Sequence, residues 1–244
     1  MAGWVLVFGA TGLLLVPELS HLLGLPPFPS MGSTEKALYA LGNQGLETVL
    51  GMGIINWAVR DYATGEEAGL LAASLRDPLS KPRGWLLWAV LGLLMAPVAV
   101  GASAAAAAVS HWDAVGGKGT VDAVAGIVNL DLPNYVSLLS VTAVLAPLLE
   151  EYVFRGFLLA SLTKVMPVWA AVVSSSVAFG LCHLSARDLP QLTSLGIVLG
   201  FTYVRSKNLL TPMLIHGAWN GTVLSVLFLL VQSGVDLQDL LSQR

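Results

Sequence analysis

Charge is what this 244-residue chain has least of. Only 11% of its residues are Asp, Glu, Lys or Arg, against roughly 25% in soluble proteins. Hydrophobic residues make up 55%, and the mean hydropathy is +0.76. A soluble fold could not hide that much apolar surface, so the expected class is an all-α, polytopic membrane bundle. The net charge of −3 leaves no basic footprint for nucleic acid and no strong field for an acidic substrate. A single cysteine, Cys182, excludes an internal disulfide framework and a Cys-rich zinc or iron–sulfur centre. The first segment lacks a basic n-region and a small-residue cleavage site, so it is expected to be a retained helix. Internal repeats, low-complexity linkers and a separate soluble stretch are also missing. One integral membrane domain over residues 1–244 is the expectation.

Apolar runs of roughly 17–25 residues can each cross a bilayer as a helix. The chain has seven: Gly3 to Leu23, Ala37 to Val59, Trp85 to Val109, Tyr135 to Val165, Val168 to Leu184, Leu189 to Val204, and Leu209 to Val231. An eighth would fit the same composition. The second run is unusually polar, carrying Asn43, Gln44, Glu47 and Asn56. The third contains Pro97 and a small-residue stretch, Gly101 to Ala108, expected to allow close helix packing. Arg60, Arg76, Lys81, Arg83, Lys164, Arg205 and Lys207 fall in alternate loops. The opposite loops hold only Lys36, Lys118 and Arg187, so the positive-inside bias places the amino terminus in the cytoplasm.

The chain is organised around Ala143 to Gly156, AVLAPLLEEYVFRG. A charge at mid-membrane costs roughly 2.5–3.5 kcal/mol on insertion scales, so ionisable residues there usually face a cavity, pair, and carry function. Glu151 and Arg155 are four apart and can pair on one helix face. Glu150 lies about 100° round the helix from Glu151 and has no partner in the stretch. A carboxylate in a desolvating place without a local partner is a candidate general base. Pro147 removes a backbone hydrogen bond and crowds the carbonyl four residues back, at Ala143. Such a break survives in a membrane only where another group or water satisfies the freed carbonyl.

Two more polar groups punctuate the later apolar runs. Phe179-Gly-Leu-Cys-His183 closes the fifth run, and His216-Gly-Ala-Trp-Asn220 lies in the seventh. A lone histidine at a helix end is often only an interfacial hydrogen-bonding group. Histidine and asparagine four apart share a face and can present two donors to one point, or simply make a modest interhelical contact. Asn220-Gly-Thr222 matches a glycosylation acceptor formally, but it lies inside a span. Two carboxylates, two histidines and an amide on three apolar runs supply the parts for hydrolysing an amide with an activated water.

In order and spacing, EEYVFR, FGLCH and HGAWN fit Glu-Glu-x-x-x-Arg, Phe-x-x-x-His and His-x-x-x-Asn. They resemble the CAAX protease and bacteriocin-processing enzyme (CPBP, or Abi) family, also called type II CAAX prenyl endopeptidases. The resemblance covers about the last 110 residues, with residues 134–233 as the core carrying the motifs. It implies an intramembrane protease. By position, Glu150 would activate water, assisted by His183, while His216 and Asn220 would stabilise the oxyanion. Glu151 and Arg155 would orient the helix and tune Glu150, with Phe179 as the motif's aromatic. It also implies a peptide or protein substrate, prenylated or of the kind matured in bacterial peptide export and immunity. The family name often carries "metalloprotease", and Glu150, His183 and His216 form a chemically sound zinc set. The metal-free arrangement uses Asn220 and both histidines more economically and is the expectation.

Two other classes compete. A non-catalytic membrane protein could hold a partner in the same cavity, but it would be expected to lack motif residues, and all are present. A proton- or solute-coupled transporter would be expected to show repeats and broken helices in both halves. Here the polar residues concentrate in the second half. The expected setting is a bacterial plasma membrane, with lipid and a peptide substrate as partners.

Overall fold

The computed structural model describes residues 9–59, 79, 84–112, 117, 119–237 and 239, and every regular element among them is helical. Helix α1 is a π-turn, Thr11–Leu15, running into Val16–Leu22. Next come α2 (Ser33–Val59), α3 (Trp85–Val109) and the short α4 (Thr120–Ala125). They are followed by α5 (Leu132–Leu162), α6 (Val168–Cys182), α7 (Leu189–Ser206) and α8 (Leu210–Gln232). Each expected apolar run falls on one of these helices. Residues 3–8 of the first run lie outside the described residues, as do Arg60, Arg76, Lys81, Arg83 and Lys118, which carry much of the orientation argument.

Among the described residues, three helices are long and apolar enough to cross a membrane: α3, α5 and α8, with window hydropathies of 2.0, 1.6 and 1.7. Together with the composition they make this an integral membrane protein. Helix α6 is apolar but has 15 residues, about 22 Å at ~1.5 Å per residue, against a hydrocarbon core of about 30 Å. Helices α2 and α7 are long enough but carry polar residues: Asn43, Gln44, Glu47 and Asn56 on α2, Gln191, Thr193, Thr202 and Arg205 on α7.

The chain forms two compact units. The first comprises residues 1–60, 121–149 and 220–244. Here α2 packs along the first half of α5 and against the π-turn of α1. Its core joins Ala37, Leu138 and Leu224, extended by Ala125, Leu227 and Leu237. Buried Asn134 fixes the entry to α5: its Oδ1 accepts from the Asn129 amide (3.1 Å), and its Nδ2 donates to the carbonyls of Ile127 (2.8 Å) and Ser33 (3.1 Å).

The second unit comprises residues 61–120 and 150–219. Helix α7 is its centre, packed on both α3 and α6. Ala96, Leu195, Val198, Leu199 and Ile215 make one apolar cluster, and Leu159, Ala171 and Val172 another. Close approach is set by two glycines. A Cβ on Gly92 would lie 2.2 Å from Ile215 Cδ1, and one on Gly196 would lie 3.0 Å from Ser176 Cα. Within the expected small-residue stretch, Ser103 makes a close contact with α7, its Oγ 3.1 Å from Ser194 Oγ, and Ala107 is buried, while Gly101 meets nothing within 4 Å. Small residues permit such an approach but do not each mark the seam.

Candidate active site

The backbone around the motif glutamates is not a uniform α-helix. Within α5, the α-turn Ala146–Glu151 is bracketed by two π-helical stretches, Ser140–Leu145 and Tyr152–Leu159. Pro147 accounts for the first. Ala146 N–H bonds five residues back, to the Val141 carbonyl, which sets an i→i−5 register. In that register the donor for the Thr142 carbonyl would be the amide of residue 147, and proline has none. Asn220 supplies it instead, its Nδ2 donating to Thr142 O at 3.0 Å. Nearby, Thr48 Oγ1 reaches Leu145 O at 3.4 Å, besides its bond to Gln44 O at 2.7 Å. The orphaned carbonyl is therefore Thr142, not Ala143 as α geometry implies.

The second unit gathers Glu150, Glu151, Arg155, Phe179, His183 and His216. Glu151 and Arg155 are wholly buried and paired, Nη1 to Oε1 at 2.8 Å. The other arm of the guanidinium, Nη2, donates to Gly196 O on α7 at 3.0 Å. The same Glu151 Oε1 accepts from His216 Nδ1 at 2.9 Å. An oxygen that already accepts from a guanidinium is the acceptor in this contact too, so Nδ1 carries its proton and His216 points Nε2 away from Glu151. Nε2 then lies 3.8 Å from Glu150 Oε2. That gap is too long for a hydrogen bond.

Glu150 differs from its neighbour in access. Its side chain is 25% open, against 0% for Glu151. Its Oε2 is nevertheless shielded and, like Glu151 Oε2, has no hydrogen-bond partner among the described residues, so access alone separates the two carboxylates' free oxygens. Phe179, fully buried, holds the rest together. It meets both imidazoles edge to face, with centroids 4.7 Å from His183 and 5.5 Å from His216. The Arg155 guanidinium stacks 4.8 Å from the same ring. His183 Nδ1 lies 2.8 Å from Phe179 O. A carbonyl only accepts, so Nδ1 is the protonated nitrogen and Nε2 is free to take a proton.

Asn220 belongs to the first unit, where one of its N–H bonds goes to Thr142 as described. Among the described residues, no three His, Cys, Asp or Glu side chains gather closely enough to hold a metal ion. Sequence spacing did not reveal the Glu151–His216 bond, because it joins residues 65 apart. The Gly196 carbonyl was equally hidden, since a backbone acceptor leaves no mark in a motif.

Fold and site together define an all-α integral membrane protein with a desolvated Glu–Arg–His cluster beside a second, partly open glutamate. Comparison with known proteins adds a family resemblance over part of the chain. Residues 132–222 match the model described as Type II CAAX prenyl endopeptidase Rce1-like, which bears out the resemblance carried by the three motifs. The chain is 31% identical over 103 residues to the Staphylococcus aureus (strain USA300) protein named membrane-embedded CAAX protease MroQ, covering 40% of each chain. It is 32% identical over 76 residues to the Bacillus subtilis (strain 168) protein named putative membrane peptidase YdiL, covering 31% of each. These alignments span less than half the length of either relative. No solved structure matches the chain significantly.

Proposed function

We propose that this chain is an intramembrane endopeptidase that hydrolyses a peptide bond with a water activated by Glu150. The observation that carries the proposal is the state of Glu150: a shielded, unpartnered Oε2 on a side chain still 25% open, 3.8 Å from His216 Nε2. A water that reaches Glu150 through the open part of its side chain would lose its proton to the carboxylate as it attacks the scissile carbonyl. The proton taken by Glu150 then passes to the departing amine, with His183, its Nε2 free to accept, as the second proton-handling group that relays it. His216, held by Glu151 through Nδ1–H, stabilises the charge that develops on the carbonyl oxygen as the imidazolium, in which Nε2 also donates. By its motif, Asn220 would be a further donor to that oxygen. Arg155 pairs with Glu151 Oε1 and holds it as the acceptor for His216 Nδ1–H. No metal enters this scheme.

The substrate class is a peptide or protein reached within the membrane, with a prenylated carboxyl terminus and a bacterial precursor peptide as the two candidates. The motif-bearing residues 134–233 would be the catalytic core, and the setting a bacterial plasma membrane with the amino terminus in the cytoplasm. The test is to compare protein termini in cells expressing wild type or Glu150→Gln at matched levels. New termini seen only with the wild type are the expected result. Identical termini in the two strains, with both proteins folded and abundant, would sink the protease reading for the proteins of that cell and favour a binding role.

A further inference from the structure

The turn that follows His183 contains a strained residue held by two contacts from outside the motifs. Helix α6 tightens at its end, with His183 N bonding Gly180 O (3.2 Å) and Leu184 N bonding Leu181 O (3.1 Å). Leu184 then takes φ 54°, the left-handed region, which costs a bulky L-residue about 1–2 kcal/mol. Nothing local compensates it, because the Leu184 side chain is 94% exposed and makes no packing contact that would favour this geometry. Conformations of this kind persist only where the surroundings over-determine them.

What over-determines this turn lies just downstream. The Trp112 indole N–H donates to Ala186 O at 2.9 Å. Asp188 Oδ2 accepts from both the backbone N–H of Thr120 (2.6 Å) and its hydroxyl (3.0 Å). Asp188 N–H also reaches Ser185 Oγ at 3.3 Å. All of these residues belong to the second unit. The turn is thus pinned at both ends, by α6 before His183 and by Trp112 and Thr120 after it.

We propose that Asp188, with Trp112, is a positioning residue for His183. The latch holds Leu184 left-handed, and that geometry keeps His183 at the end of α6 with Nδ1 on Phe179 O. Releasing the latch lets Leu184 relax to negative φ, which rotates the following peptide, frays the α6 terminus and frees the His183 ring. The functional consequence rests on the endopeptidase reading above; the geometric one does not.

The test separates the two. In full-length, detergent-solubilised protein labelled with 15N-histidine, wild-type His183 is expected to show the Nδ1–H tautomer. Asp188→Ala is expected to give an averaged tautomer signal for His183 while leaving His216, held by Glu151, unchanged. Adding Leu184→Gly, which adopts the left-handed turn without strain, is expected to restore the His183 signal. A merely structural role for Asp188 predicts no such rescue. Should Asp188→Ala not fold, Trp112→Phe keeps the ring, removes only the indole donor and is expected to loosen His183 in the same direction. In a peptide-cleavage assay the loosened variants should lose about tenfold in kcat with KM little changed. An unaltered His183 tautomer in folded Asp188→Ala or Trp112→Phe overturns the proposal. An altered tautomer with no cleavage by wild type overturns the endopeptidase reading and leaves the positioning role standing.

Discussion

Removing Arg155 tests the electrostatic core most sharply. Its guanidinium is wholly buried and makes three contacts: Glu151 Oε1 at 2.8 Å, Gly196 O at 3.0 Å and the face of Phe179 at 4.8 Å. Arg155→Met keeps much of the side-chain volume and loses all three polar interactions. The dominant effect is the carboxylate left behind, because Glu151 has no access to water. Breaking a buried pair from one side costs about 3–5 kcal/mol. The lost carbonyl bond and the lost cation–π contact would each be worth about 1–2 kcal/mol alone, but they belong to one network and do not simply add. A loss of about 4 kcal/mol lowers the folded-to-unfolded ratio roughly a thousandfold, out of a typical total of about 5–15 kcal/mol. Thermal unfolding in detergent, followed by tryptophan fluorescence, should show a large fall in Tm. Glu151→Gln added to Arg155→Met removes the stranded charge while leaving His216 an acceptor, so most of the loss should return. If Arg155→Met unfolds within about 1 kcal/mol of wild type, or the double variant is no more stable than the single, the buried-charge account is wrong.

Other substitutions probe the remaining contacts. Glu150→Gln should cut cleavage by about 10²–10⁴-fold, the usual worth of a positioned base, and leave Tm nearly unchanged because its side chain is partly open. Asn220→Ala should destabilise by about 1–3 kcal/mol through the unsatisfied Thr142 carbonyl. Pro147→Ala should reverse much of that loss by restoring a backbone N–H, and a double-mutant cycle on Tm would read the coupling. Gly196→Ala would set its Cβ 2.9 Å from Ser176 Cβ and 3.0 Å from Ser176 Cα, with an expected cost of about 1–3 kcal/mol. Ser176→Gly should not rescue it, since the Cα remains, and a full rescue would mean the helices were never in backbone contact.

Most of the helices were legible because apolar runs bounded by Pro, Gly or charge leave little choice in a membrane. Trp85–Val109 was found at both ends, and the runs carrying the motifs shifted by only a few residues. The Glu151–Arg155 pair was legible for a similar reason: i,i+4 spacing brings side chains together whatever the tertiary fold does. What was not legible depended on long-range placement. Nothing in Glu151 or His216 alone says that one carboxylate oxygen serves both Arg155 and a histidine 65 residues away. Likewise, Pro147 announced a missing hydrogen bond, but the π register decided which carbonyl lost it. Asn220 was assigned from its motif to the reacting oxygen, and the partner it has in the structure is Thr142. These roles are compatible only because an amide nitrogen carries two protons.

In the proposed mechanism the adjacent glutamates divide two jobs that one carboxylate could not do. A base must hold its charge loosely enough to take a proton, which requires no cationic partner and some access for water. An anchor requires strong donors on one oxygen and no access, as Glu151 Oε1 has. Along α5 the two are successive residues, so the helix turns one toward Arg155 and His216 and the other toward the gap where His216 Nε2 ends. Exchanging them would fail on both counts, because a base clamped by a guanidinium would be too weak and an anchor open to solvent would hold no tautomer. The π stretches on either side supply the local departure from α geometry that such a crowded placement needs, as π-bulges commonly do at functional sites. If Pro147→Ala returns this stretch to α register, Thr142 O takes the Ala146 N–H instead, and Glu150 should move relative to His216 as well. A variant that regains Tm while losing cleavage would be the signature of that coupling.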